Sequence, residues 1–164
     1  MSPSPASEPA AGLGGDDRRE IVDDGLIADA NVHLVVNGLV VRPMEADGPG
    51  WRFPLRAGIR SVRLRSRASR PSVVDGAQDH RRLGLCVTGL AIRFAGTQAA
   101  VALNHPTLDD GFHAVEKDGR WMWRWTDGDA ILPVPLLGDG RMPVTLVVTG
   151  YALPLYASGG AMEA

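Results

Sequence analysis

The sequence predicts an all-β fold, an antiparallel β-sandwich of about nine or ten short strands. Three observations predict it. Short β-branched runs recur between turn residues from residue 31 onward. No apolar pattern keeps a helical period for longer than about two turns. Two of the runs meet across Asn37-Gly38, the strongest short hairpin signal available. Residues 121–133, W-M-W-R-W-T-D-G-D-A-I-L-P, add three tryptophans at period-2 spacing, then a turn and a second apolar run. That pattern predicts another hairpin, with a broad aromatic face on its first strand.

A chain of 164 residues suits one domain. A domain of this size buries roughly 68–70% of the surface its unfolded chain exposes, so it needs neither disulfides nor metal to hold a core. The net charge of −2 gives no argument for nucleic acid or a membrane surface as partner. Cys86 is the only cysteine, which excludes an intrachain disulfide and a cysteine-based zinc site. No apolar run of about 18 residues appears, and the N-terminus lacks the charged and apolar regions of a signal peptide. The expectation is a soluble chain with no membrane span, no export signal of its own and no cofactor. Its compartment stays open.

In order along the chain, residues 1–16 are rich in Ser, Pro, Ala and Gly and read as a disordered leader. A single sandwich domain is expected over 17–157, its first part (17–30) holding a short helical turn. Strands follow at 32–36 (V-H-L-V-V), 39–42 (L-V-V-R) and 51–55 (W-R-F-P-L). Residues 60–67, R-S-V-R-L-R-S-R, alternate so that Val62 and Leu64 share one face and Arg63, Arg65 and Arg67 the other. The run 84–94 is long and apolar, the expected central strand. A turn through Gly96-Thr97 leads to a strand at 99–103, and 104–119 reads as loop because of its N-H-P, D-D-G and K-D-G breakers. The last strands fall at 121–125, 130–134, 144–149 and 152–156, before a flexible tail at 158–164.

Three groups of residues could carry chemistry. Trp121, Trp123 and Trp125 point one way and Met122 and Arg124 the other. They form either a platform for sugar rings or part of the core. Core burial is the expectation, with Trp123 at its centre and Arg124 in solvent, because aromatic residues bury large areas. Second, seven arginines lie between Asp47 and Asp75 with no acid among them. Arg63, Arg65 and Arg67, about 7 Å apart along one strand face, form a candidate patch for an anionic ligand, since guanidinium forks match carboxylate and phosphate. The acids of 109–129 are candidate internal partners for them. Third, Asp79 and Arg81, with Asp110, His113, Asp127 and Asp129, form a candidate glycan or loop site. Their carboxylates also suit Asx-type turns. No spacing supports a metal: there is no H-x-x-x-H, no E-x-x-H and no complete calcium loop. Nor is there a G-x-S-x-G, a P-loop or a dinucleotide fingerprint.

Taken together, V-H-L-V-V-N-G-L-V-V-R-P (32–43), R-F-P-L-R-A-G-I-R-S-V-R-L-R-S-R-A-S-R-P (52–71), D-H-R-R-L-G-L-C-V (79–87), D-D-G-F-H (109–113) and W-R-W-T-D-G-D-A-I-L-P (123–133) carry a family resemblance. The chain resembles a bacterial domain that accompanies Hint (hedgehog/intein-like) domains, the β-rich accessory region that follows the Hint core. Similar segments accompany glycosyltransferase-like proteins. The resemblance spans about residues 17–157 and implies context rather than self-cleavage. The Hint reaction needs an initial Cys or Ser, a T-x-x-H block and often a terminal His-Asn. Here T-x-x-H is missing, Cys86 lies within the expected central strand, and Asn104-His105 has the reverse order.

The sequence therefore points to a non-catalytic accessory or interaction module. Its expected partners are a polysaccharide or a neighbouring Hint or glycosyltransferase unit. The alternative is a C-terminal fragment of an autoprocessing or sugar-transfer enzyme whose catalytic part lies elsewhere.

Overall fold

The computed structural model describes residues 21–22, 26–45, 48–71 and 78–157. The expected leader (1–16) and tail (158–164) lie outside them. Where a helical turn was expected, the chain instead forms β1 (Ile21–Val22) and β2 (Leu26–Ile27), paired antiparallel. β3 (His33–Val36) and β4 (Leu39–Val41) then meet across Asn37-Gly38. Both turn residues have positive φ, 52° and 85°, as a two-residue hairpin turn requires. The Asn37 side chain also accepts the Arg60 and Ser61 amides and so ties this turn to the approach of the later strand β6 (Val62–Arg65).

Between them runs β5 (Gly50–Leu55). Beyond β6 come β7 (Leu85–Phe94) and β8 (Thr97–Val101), joined by Ala95-Gly96 rather than by the expected Gly96-Thr97. β9 (Glu116–Asp118) lies in the segment read as loop, and β10 (Trp121–Trp125) and β11 (Asp129–Ile131) follow. A 3₁₀ segment over Val134–Gly140 replaces the end of the strand expected at 130–134. β12 (Val144–Ala152) and β13 (Tyr156–Ala157) divide the run expected at 152–156.

Two antiparallel sheets pack together, as the sequence predicts. One has the order β5-β12-β7-β10-β9, with β8 also on β7; the other has the order β11-β6-β3-β4. A small third sheet, β1-β2-β13, lies beside them. The core fills the space between the two main sheets. Phe53 and Leu55, Leu146 and Val148, and Leu85 and Val87 enter it from the larger sheet, and Leu34, Val62, Leu64 and Ala130 from the smaller. Each large apolar side chain buried this way contributes about 1.5–3 kcal/mol.

The expected second hairpin is absent, because β10 and β11 belong to different sheets. β10 pairs with β9 and β7, and β11 with β6. The T-D-G-D stretch carries the chain across the edge of the sandwich. Thr126 anchors the crossing: its amide donates to the Leu85 carbonyl and its hydroxyl oxygen accepts the Leu85 amide. Gly128, at φ 103°, passes so close to Ala68 that a Cβ would sit 2.8 Å from the Ala68 Cβ.

Candidate functional site

The tryptophan strand decides the first site. On β10, Arg124 pairs in register with Val87, which is fully buried, and Trp125 pairs with Cys86. The row that contains Val87 faces the core, so Arg124 and Met122 face inward and the three tryptophans outward. This reverses the expected arrangement. Period-2 spacing states which residues share a face; the neighbouring strand states which face it is. Trp121 is 67% exposed and Arg124 only 9%.

Two hydrogen bonds compensate the burial of Arg124. Its Nε donates to the His113 carbonyl (2.6 Å) and an NH1 hydrogen to the Leu103 carbonyl (2.9 Å). Its guanidinium also lies 5.3 Å from the centre of the Phe112 ring. Arg124 thus fastens the long 102–115 connection to β10.

On the outer face the larger sheet has a notch, and its origin is topological. One flank of β7 is paired along its length by β12, but the other is shared, with β10 at Cys86–Val87 and β8 from Leu90 onward. Thr88 and Gly89 fall between them. There the β12 register also slips: Thr149 pairs with Gly89 and Gly150 with Val87, leaving Thr88 as the extra residue of a bulge. The slip moves the inward positions of β7 from Leu85 and Val87 to Leu90 and Ile92. The resulting hollow, about 690 Å³, has Thr88 and Gly89 in its lining, with Trp121 and Trp123 from β10, Val101 from β8 and Tyr151 from β12. The Arg120 guanidinium stacks 5.6 Å from the Trp121 ring centre. Cys86 also lines the hollow, but burial and then the Glu116 carboxylate push its thiol up, away from the nucleophilic thiolate.

A second, charged cleft of about 580 Å³ involves the outer face of the smaller sheet. Strict alternation on β6 buries Val62 and Leu64 and leaves Arg63 and Arg65 outside, as expected. Across the sheet His33, Arg65 and Asp129 stand in one row. Arg63 NH1 lies 3.1 Å and Arg65 Nε 3.7 Å from the same oxygen, Asp129 Oδ1. Arg67 Nε donates to the Asp29 carbonyl at 2.9 Å. The Asp129 amide donates to Asp127 Oδ1, an Asx turn that sets the approach to β11.

Six of the sequence candidates, Arg63, Arg65, Arg67, Asp110, Asp127 and Asp129, therefore line one cleft. Asp79, Arg81 and His113 form a different group. Arg81 binds Asp79 at 2.7 Å and Glu116, on β9, at 2.8 Å. Hydrogen bonding from the Arg81 side chain is the main reason that the Asp79 carboxyl falls to about 2. His113 donates from Nε2 to the Arg82 carbonyl. This group fastens the approach to β7 onto the edge strand β9. Glu116 and Tyr151 escaped the sequence reading. Glu116 lies among loop-forming residues, and Tyr151 joins the tryptophans only through the register of β12.

Among the described residues no three His, Cys, Asp or Glu side chains are grouped to hold a metal ion. Among the same residues, no helix is long and apolar enough to cross a membrane. Comparison with protein-family models, curated proteins and solved structures gives no match.

Proposed function

We propose that this domain is a non-catalytic glycan-binding module and that the notch on its larger sheet takes a sugar ring. The observation that carries this reading is the outward presentation of Trp121 and Trp123 beside Tyr151, around a hollow floored by Thr88 and Gly89. Aromatic faces suit the C–H faces of pyranose rings. The Tyr151 hydroxyl, the Thr88 hydroxyl and Arg120 offer polar partners for the ring's hydroxyls. A volume of about 690 Å³ is in the range of small-ligand sites, roughly 300–1,000 Å³. The resemblance to Hint-associated and glycosyltransferase-associated segments supports an accessory role beside such a unit.

A glycan array on the purified protein, repeated with Trp121→Ala, tests the reading. The expected result is a defined set of bound glycans whose affinity falls about tenfold or more in the variant, a loss of about 1.4 kcal/mol. Trp121 is mostly in water, so its removal should move stability by no more than about 0.5 kcal/mol. An array without specific binding, or binding indifferent to Trp121, would remove the reading.

A further inference from the structure

On the opposite side of the sandwich, the structure assigns the Arg63–Arg65 pair as a second, separate site, for the carboxylate of an acidic sugar. Its geometry already accommodates a carboxylate. Both guanidinium groups converge on Asp129 Oδ1, at 3.1 and 3.7 Å, with all three side chains between 44% and 49% exposed. Each guanidinium has five N–H donors. The contact to Asp129 is a hydrogen bond only for Arg63 NH1; the 3.7 Å approach of Arg65 is beyond hydrogen-bond reach. Two cations facing one anion leave one positive charge uncompensated at that point. A ligand carboxylate satisfies both the charge and the free donors.

The rest of the lining selects the class of ligand. Asn31, His33, Ser66, Arg67 and Arg82 border the cleft with Asp110 and Asp127. Amide, imidazole, hydroxyl and carboxylate groups are partners for sugar hydroxyls. Four arginines against three aspartates leave the lining room for one added negative charge, not for a chain of closely spaced phosphates. One carboxylate on a hydroxyl-rich ring fits both features. Asp129 then acts as an internal stand-in, occupying the arginines until the ligand displaces it.

Calorimetric titration with trigalacturonate tests the site, with its methyl ester as the uncharged control and inorganic phosphate as the bare-anion control. The expected result is binding of the acid that weakens with salt, little binding of the ester, and little of phosphate. Arg63→Gln with Arg65→Gln should reduce that binding more than about tenfold, since bonds to charged groups are the strong ones. Its melting temperature should stay unchanged. Asp129→Asn should raise affinity by removing the internal competitor. The site does not depend on the tryptophan notch, so Trp121→Ala should leave trigalacturonate binding intact. The assignment is overturned if the wild type and Asp129→Asn both fail to bind trigalacturonate, or if phosphate or the ester binds equally well. It is also overturned if the Arg63/Arg65 variant keeps its affinity, or if Trp121→Ala abolishes binding of the acid.

Discussion

Arg124 shows how much one inward-facing side chain can hold. It bridges the carbonyls of Leu103 and His113. Replacing it with Met keeps the bulk but removes both charge-assisted bonds, each worth about 1.5–3 kcal/mol. Arg124→Met should therefore cost about 3 kcal/mol or more in denaturant unfolding, and Arg124→Glu more again, since it aims a carboxylate at two carbonyl oxygens. A midpoint within error of wild type for Arg124→Met would contradict this account. Tyr156 is comparable among uncharged residues. Fully buried, it donates to the Gly84 carbonyl and accepts the Leu153 amide. Burial pushes its hydroxyl up to about 12, above the usual value of 10. The folded state thus holds this proton more tightly than the unfolded state, so its stabilisation is complete below pH 10 and is lost as pH rises from 10 to about 12. Asp79 acts in the opposite sense. Its depressed value makes its contribution complete above about 3.8 and lost as pH falls toward 2. Stability measured against pH should fall in both windows, and Tyr156→Phe should flatten only the alkaline one.

At the scale of strands, the bulge on β7 shapes the notch and depends on Gly150. A Cβ there would run into the Cys86 carbonyl oxygen and sit 3.1 Å from the Val87 Cα, both backbone atoms. Gly150→Ala should destabilise by about 1–3 kcal/mol, as overpacking does. It should also impair the notch by moving β12 and Tyr151, whereas Gly58→Ala meets open space and strains only its own backbone. The same strands show what a sequence discloses. The faces of β6 were legible, because polar and apolar residues alternate, but the strand spans only Val62–Arg65, so Arg67 lies beyond its end rather than on the expected 60–67 face. The faces of β10 were not legible, because apolar and aromatic residues fill both apart from Arg124. Only its pairing with Val87 reveals that the arginine lies inside. β9, E-K-D, lacks strand formers altogether and owes its existence to pairing with β10 and to the Arg81–Glu116 contact. Charged residues at a sheet edge are a common protection against further pairing. T-D-G-D read as a hairpin because turn chemistry is local, while its passage between sheets is set by packing against Ala68. The charged cleft was half legible: its arginines and aspartates were named from their clustering, but their convergence required the β11–β6–β3 registers.

Across the whole molecule, strands far apart in sequence must meet before the sandwich closes. β12 joins β5, pairing Thr149 with Gly50, and also joins β7, so its middle residues, 145–149, are bonded on both flanks. Closing such long loops loses entropy before any contact compensates, so folding should take milliseconds to seconds, as in other sandwiches. The amides of Leu146 and Val148 lie in that doubly paired strand with buried side chains. Their hydrogen exchange should require global unfolding. β8 is different. Among the described residues it pairs only with β7, and its residues 97–100 are exposed. Its amides should open at a lower free energy than those of β12. If so, the notch has one firm wall, the β7–β12 floor beneath Thr88, Gly89 and Tyr151, and one yielding wall at Val101 of β8. A sugar that binds only the folded protein raises the free energy of global unfolding, so it should slow exchange in β12. It should slow exchange in β8 as well, because opening that edge breaks the notch. Native-state exchange with and without a bound glycan measures this directly. No change in β8 would place the ligand away from the notch.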